Sequence, residues 1–309
     1  MNTTLSAAAA LGVVIVLAPG VIGVAARTRA ALTHRRGTPV LQLYFDLFKL
    51  LRRGAVFSDA TTWVFRFAPV AVVVTAILAA LVVPLDGRAS LFRFAGDPVA
   101  LAYTFAFGRF FLVLAALDTG SSFEGMGASR EVTFASLVEV GLFLSFATLA
   151  VLTHELSLSG MLEAPLARAS ASGSAPAVAM IAGSFFALLL AECARVPVDD
   201  PATHLELTMI HEVMVLDHSG PDLALILYAG ALKLSVLGAV VISVLVPRAN
   251  LPPAVAIAVL AGGLLLVGVG VGIVEASMAR LRLPKVPLYL AGASALALFS
   301  LILALWSAA

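Results

Sequence analysis

Eight apolar runs, each about as long as a bilayer's hydrocarbon is thick, constrain this chain more than any other feature. They fall near residues 5–26, 61–84, 98–117, 132–155, 176–194, 221–246, 254–275 and 286–307. A helix of roughly 20 apolar residues crosses about 30 Å of lipid. Lipid offers no hydrogen-bond partners, so a spanning backbone must satisfy itself as a helix or a closed barrel, and the runs lack the alternation of barrel strands. The sequence therefore predicts an all-α, polytopic transmembrane helix bundle of about eight spans. A mean hydropathy of +1.07 with only 12% charged residues agrees. The first run has no basic residue before it and reads as a retained helix, not a cleaved signal. No repeat relates the two halves, so a single membrane domain, 1–309, is expected.

Lysine and arginine set the orientation. The first loop holds Arg27, Arg29, Arg35, Arg36, Lys49, Arg52 and Arg53, and loops on the same side add Arg130, Arg195, Arg280, Arg282 and Lys285. The other side carries only Arg88, Arg93, Arg168 and Arg248. Twelve against four places the first loop in the cytoplasm and both termini outside. Within that loop, TPVLQLYFDLFKLLRR sets Leu41, Tyr44, Phe45, Phe48 and Leu51 or Leu47 along one side of a helix. That pattern predicts an amphipathic surface helix, lying on the membrane or tucked against the bundle. SASGSAP, residues 170–176, reads as a loop on the outer side.

Two classes of function drop out. A net charge of +1 without a basic stripe gives no basis for binding nucleic acid. Cys193 is the only cysteine, which forbids a disulfide and leaves the chain unable to hold an iron-sulfur cluster alone. No redox centre is expected in this chain, and any redox chemistry belongs to a partner.

Charges at bilayer depth cost several kcal/mol and so face the interior, pair, or line water. Arg109, Glu139, Glu192 and Lys233 are the candidates. Glu192 and Arg195 stand three apart and would pair across one turn if their helix continued to Pro197. Glu275, at the end of its span, reads as a solvated end charge. These charges serve either as ion pairs that fix helix register or as groups that handle protons or ions.

The run AECARVPVDDPATHLELTMIHEVMVLDHSG is the chain's acidic loop. Six carboxylates lie between Asp199 and Asp222, yet Leu205, Leu207, Met209, Ile210, Val213, Met214, Val215 and Leu216 make the segment half apolar. A packed loop is expected. His204, His211 and His218 recur every seven residues, but seven residues of helix rise about 10.5 Å, too far for one metal with bonds of about 2 Å. Each histidine has a carboxylate within two residues, which suits a proton-exchanging surface, or else a satisfied, partly buried imidazole.

At these residues the chain resembles a known family. AECARVPVDDP resembles the signature of the respiratory complex I subunit 1 family, with its Glu, Arg, Pro and Asp in the order of Glu192, Arg195, Pro197 and Asp199. The run THLELTMIHEVMVLDHSGPDLALI, with DTGSSFEGMGASRE and YFDLFKLLRR, is similar to the hydrogenase branch: the subunits that anchor formate hydrogenlyase, hydrogenase 4 and related energy-converting nickel-iron hydrogenases. The resemblance implies a membrane subunit on which a hydrogenase-like arm docks above a chamber of glutamates. By motif position Glu139 is similar to the family's glutamate in the fourth of these helices. Glu192, Asp199, Glu206 and Asp217 fall on the acidic loop, with Glu212 the alternative to Asp217. The implied partners are hydrogenase large and small subunits, iron-sulfur subunits and antiporter-like membrane subunits. Iron-sulfur clusters and a nickel-iron centre would sit in those partners, and the implied location is a bacterial inner membrane.

The expected function is a non-catalytic subunit that couples redox chemistry in a docked arm to charge movement in the membrane. Two unit charges 10 Å apart at an effective dielectric near 20 interact by about 1.7 kcal/mol, enough to shift a proton equilibrium more than tenfold. Glu139, Glu192 and Lys233 would carry the relay, with Asp199, Glu206, Glu212 and Asp217 as further proton-transfer groups. Arg195 and Arg130 would hold loop carboxylates ionised, Arg109 would pair a buried acid, and Asp200, His204, His211 and His218 would meet the partner. The alternatives are a passive anchor, a quinone-reactive subunit of the complex I type, and an independent secondary transporter.

Overall fold

The computed structural model describes residues 3–163, 165, 175–200 and 209–308, and every regular element among them is helical. Among the described residues eight helices are long and apolar enough to cross a membrane: α1 (Thr3–Leu32), α3 (Trp63–Val82), α4 (Asp97–Asp118), α5 (Ser122–Thr153), α7 (Ala175–Glu192), α9 (Gly220–Leu245), α10 (Pro253–Ser277) and α11 (Val286–Ala308). Between them lie α2 (Gln42–Leu51), two single α-helical turns, α6 (Leu158–Met161) and α8 (His211–Met214), and a 3-10 turn (Leu283–Lys285).

The axis of the bundle is α9. In its most apolar stretch 72% of residues are buried, against at most 56% in any other span. It packs on α1, α2, α3, α7 and α10, while α11 closes the far side against α5 and α7. Small residues permit this closeness. A Cβ at Gly23 of α1 would collide with the carbonyl of Val40 on the segment leading into α2, and one at Gly127 of α5 would strike Val213 of α8.

Two helices run further than their apolar runs. α1 continues to Leu32 because AARTRAAL contains only helix-tolerant residues, so Arg27 and Arg29 are helical, not loop, residues. α5 begins at Ser122, ten residues before the expected 132, because SFEGMGASRE holds no proline and its small residues pack under the acidic loop. The proline inside α1 is accommodated by neighbours. Pro19 has no N–H and leaves the Ile15 carbonyl without its helical donor. The Tyr228 hydroxyl of α9 donates to that oxygen at 3.1 Å, and Tyr44 of α2 donates to the next one, of Val16, at 2.5 Å. Tyr44 thus turns to α1 while Leu41, Phe45, Phe48 and Leu51 of its segment face outward, so the apolar residues of α2 occupy both sides of it.

α7 ends at Glu192, before Arg195, and Pro197 is not what stops it. Ala194 adopts a left-handed conformation (φ 49°), and the N–H groups of Arg195 and Ala194 donate to the carbonyls of Leu190 and Ala191. This is a Schellman closure, which satisfies the last carbonyls and reverses the chain. Arg195 is thereby carried away from Glu192, and the expected pair across one turn does not form.

The end of the bundle opposite the acidic loop is tied by a second polar cluster. Arg248, 1% exposed, donates to Leu85 O at 2.8 Å and to the Ser243 hydroxyl at 2.5 Å. Asp86 accepts from the Ser6 hydroxyl at 2.7 Å. These bonds join α1, the α3–α4 loop and the end of α9. Most of SASGSAP and Arg168 lie outside the described residues.

Candidate functional site

Four spans each contribute one charged side chain to a single interior cluster. Glu192, in the last turn of α7, presents Oε1 to Lys233 Nζ of α9 at 2.7 Å and to Arg109 Nη2 of α4 at 3.0 Å. The same Nη2 lies 3.8 Å from Glu139 Oε1 of α5. Lys233 also sits 5.4 Å above the ring of Phe105. The Glu192 side chain is only 4% exposed, so its charge is sustained by these two cations. The four formal charges cancel, which is the condition under which ionised groups persist away from water.

The cluster borders water-sized space. Arg109, Glu131, Glu192, Cys193, His211 and Lys233 form the polar wall of a cavity of about 60 Å³ between α3, α4 and α9, room for about four waters at some 15 Å³ each. A smaller recess of about 10 Å³ shares Arg109, Glu131 and Glu192 and reaches Asp199. Polar groups therefore run from the middle of the bundle to its acidic-loop end.

At that end the loop is pinned by ion pairs that the sequence pattern did not show. Asp199 accepts from the N–H groups of Ile210 and His211 through Oδ2, at 3.1 and 3.0 Å, and pairs with Arg280 through Oδ1 at 2.9 Å. Asp200 pairs with Arg29 of α1 at 3.3 Å. Glu275 is buried, not solvated: Arg195 holds it at 3.4 Å and Arg29 at 4.0 Å. The expected solvated end charge fails because the end of α10 packs directly on α1. Arg195 thus serves a helix carboxylate, and Arg130 donates to Met209 O at 2.9 Å. The described loop carboxylates Asp199 and Asp200 are held by Arg280 and Arg29.

The remaining expected site residues separate. His204 and Glu206 lie outside the described residues. Glu212 is half-buried on α8, and Asp217 is exposed, its N–H donating to Glu124 Oε1 at 3.3 Å. No helix joins His211 to His218, because α8 is a single turn. His211 lines the inner cavity, whereas His218 is buried in a stack on Phe65 of α3, ring centroids 4.0 Å apart. Burial pushes the His218 imidazole down to about 4. It likewise pushes the Cys193 thiol up to about 12.

Glu124 and Glu131 were missed by sequence reasoning. With Glu139 they stand seven and eight residues apart, two helical turns each, on one side of α5. The available signal was the acidic, proline-free run before the apolar stretch, which continues the helix outward.

Comparison with known proteins bears on the family and the fold. A family profile described as NADH dehydrogenase matches residues 5–307. Hydrogenase-4 component C of Escherichia coli (strain K12) is 32% identical over 235 residues, 76% of this chain and 73% of that protein. Formate hydrogenlyase subunit 4 of the same strain is 33% identical over 258 residues, 82% of this chain and 80% of that protein. A chain of the membrane-bound sulfane sulfur reductase, an archaeal respiratory membrane complex, superimposes with a TM-score of 0.80 over 98% of this chain and 100% of its own, at 18% identity. That last likeness concerns the fold alone.

Proposed function

The chain belongs to the NADH dehydrogenase subunit 1 family, and from that premise we propose that it is the proton-coupling membrane anchor of a hydrogenase or complex I-like redox complex. The acidic-loop end, cytoplasmic by its arginines, receives the soluble arm of that complex. Both termini then lie outside a bacterial inner membrane. Iron-sulfur clusters and the nickel-iron centre belong to the arm, whose large, small and iron-sulfur subunits are the partners, along with antiporter-like membrane subunits. Asp200, which pairs with Arg29, marks the seat.

One observation carries this proposal: Glu192 is held between Arg109 and Lys233 on the wall of a cavity that reaches the acidic loop. A structural ion pair needs no water-sized space beside it, whereas a relay does. A change of charge in the arm acts on the loop at Asp199 and on Glu131, Glu192 and Glu139, the last three forming a coupled set in which each proton move biases the next. The two-cation clamp on Glu192 favours a second reading, a passive anchor in which the cluster only fixes helix register.

The two readings separate on measurement. In the intact complex reconstituted into vesicles, Glu192→Gln and Glu139→Gln assemble normally, and proton translocation per turnover falls about tenfold or more, in line with loss of a positioned proton-transfer group. Lys233→Met, which leaves Glu192 short of one cation, loses coupling as well as stability. A passive anchor predicts lower melting temperatures with unchanged translocation per turnover, and that result would remove the relay.

A further inference from the structure

We propose that His211 is the carrier that moves protons between the acidic-loop side and the cavity around Glu192, an assignment that rests on the coupling role above and names its entry residue. His211 stands on the one-turn helix α8, which packs between α4 and α5. Its backbone N–H is fixed by Asp199 Oδ2, and Asp199 is fixed by Arg280. The half-buried imidazole forms part of the wall that holds Glu192 and Lys233.

The groups facing it from every packed element narrow the choice. Arg109 of α4 and Lys233 of α9 are occupied in pairing with Glu192. Glu192 belongs to the coupled set that the carrier serves and is reached only through the cavity. Cys193, with its thiol pushed up to about 12, does not exchange protons near neutrality. Asp199 is committed to Arg280 and three backbone N–H groups. Glu131 of α5 and His211 remain, and only imidazole offers two separate nitrogens, one to accept and one to release.

The step balances. A proton from the loop side binds the free ring nitrogen, giving imidazolium. The proton on the other nitrogen then passes to the Glu131 carboxylate across the cavity. The ring returns to neutral with its proton on the opposite nitrogen, one proton having entered and one left, and exchange of tautomers resets it.

The test uses the intact complex in vesicles, with translocation followed against pH. His211→Ala lowers proton flux at least tenfold and changes the shape of the flux–pH profile, and added free imidazole restores part of the flux. His211→Gln, which keeps hydrogen bonding but carries no proton, shows the same loss and guards against misfolding of the alanine variant. Combining either change with Glu192→Gln brings no further loss. Unchanged flux, or a loss that imidazole does not restore while the pH profile keeps its shape, overturns the assignment. If Glu192→Gln abolishes coupling and the His211 variants do not, this proposal alone fails. If Glu192→Gln is silent, the coupling role fails with it.

Discussion

A buried imidazole without hydrogen-bonding partners sheds its charge, and His218 is such a group. Among the described residues neither of its ring nitrogens has a partner, and its ring stacks on Phe65. The native chain holds it neutral down to about 4, whereas in an unfolded chain histidine binds a proton near pH 6.5. Between those values the unfolded state takes up a proton that the native state refuses, so stability falls as pH drops through the window and is unaffected above it. The full effect is up to about 3 kcal/mol. Melting in detergent at pH 7 and pH 4.5 should show a larger acid-induced drop for the native chain than for His218→Phe. Equal drops would mean that the ring is solvated. Of the interior charges, Arg109, Glu139, Glu192 and Lys233 were legible in the sequence because an ionised group amid apolar residues stands out. Glu275 was not, since burial of a span's last turn depends on which neighbour covers it, and that neighbour, α1, is some 250 residues earlier in the chain.

Elements were read more securely in their existence than in their ends. All eight spans follow from hydrophobic length, yet α5 starts ten residues early and α7 stops at a Schellman closure that no proline or glycine announces. Tertiary contact decided both. The interrupted hydrogen bonding of α1 has the same character: Pro19 is visible in sequence, but its remedy lies in Tyr228, more than 200 residues away. That pairing gives a double-mutant test. Tyr228→Phe should destabilise the bundle by about 1 kcal/mol, the net value of a hydrogen bond whose acceptor is left stranded. In a Pro19→Ala background, where the substituted residue supplies its own N–H to the Ile15 carbonyl, the same change should be nearly neutral. Additive losses in a thermal-melt cycle would show that the hydroxyl is not serving the freed carbonyl.

For the whole molecule, the single cysteine gives access to topology. Cys193 faces the inner cavity and burial pushes its thiol up, so far less of it is thiolate at pH 7 than of an ordinary cysteine. The native chain should resist a membrane-impermeant maleimide from either side. Arg53→Cys should react from the cytoplasm and Ser307→Cys from outside, and labelling of both from one side would reverse or redraw the topology. The dimensions of α5 reach further. Its 32 residues extend about 48 Å, well beyond the roughly 30 Å of hydrocarbon, and no proline interrupts them. Glu124 in the first turn, buried under the acidic loop, and Glu139 near the middle thus ride on one unhinged rod. A displacement of the first turn would be carried along the rod to Glu139, with no proline kink between them to absorb it.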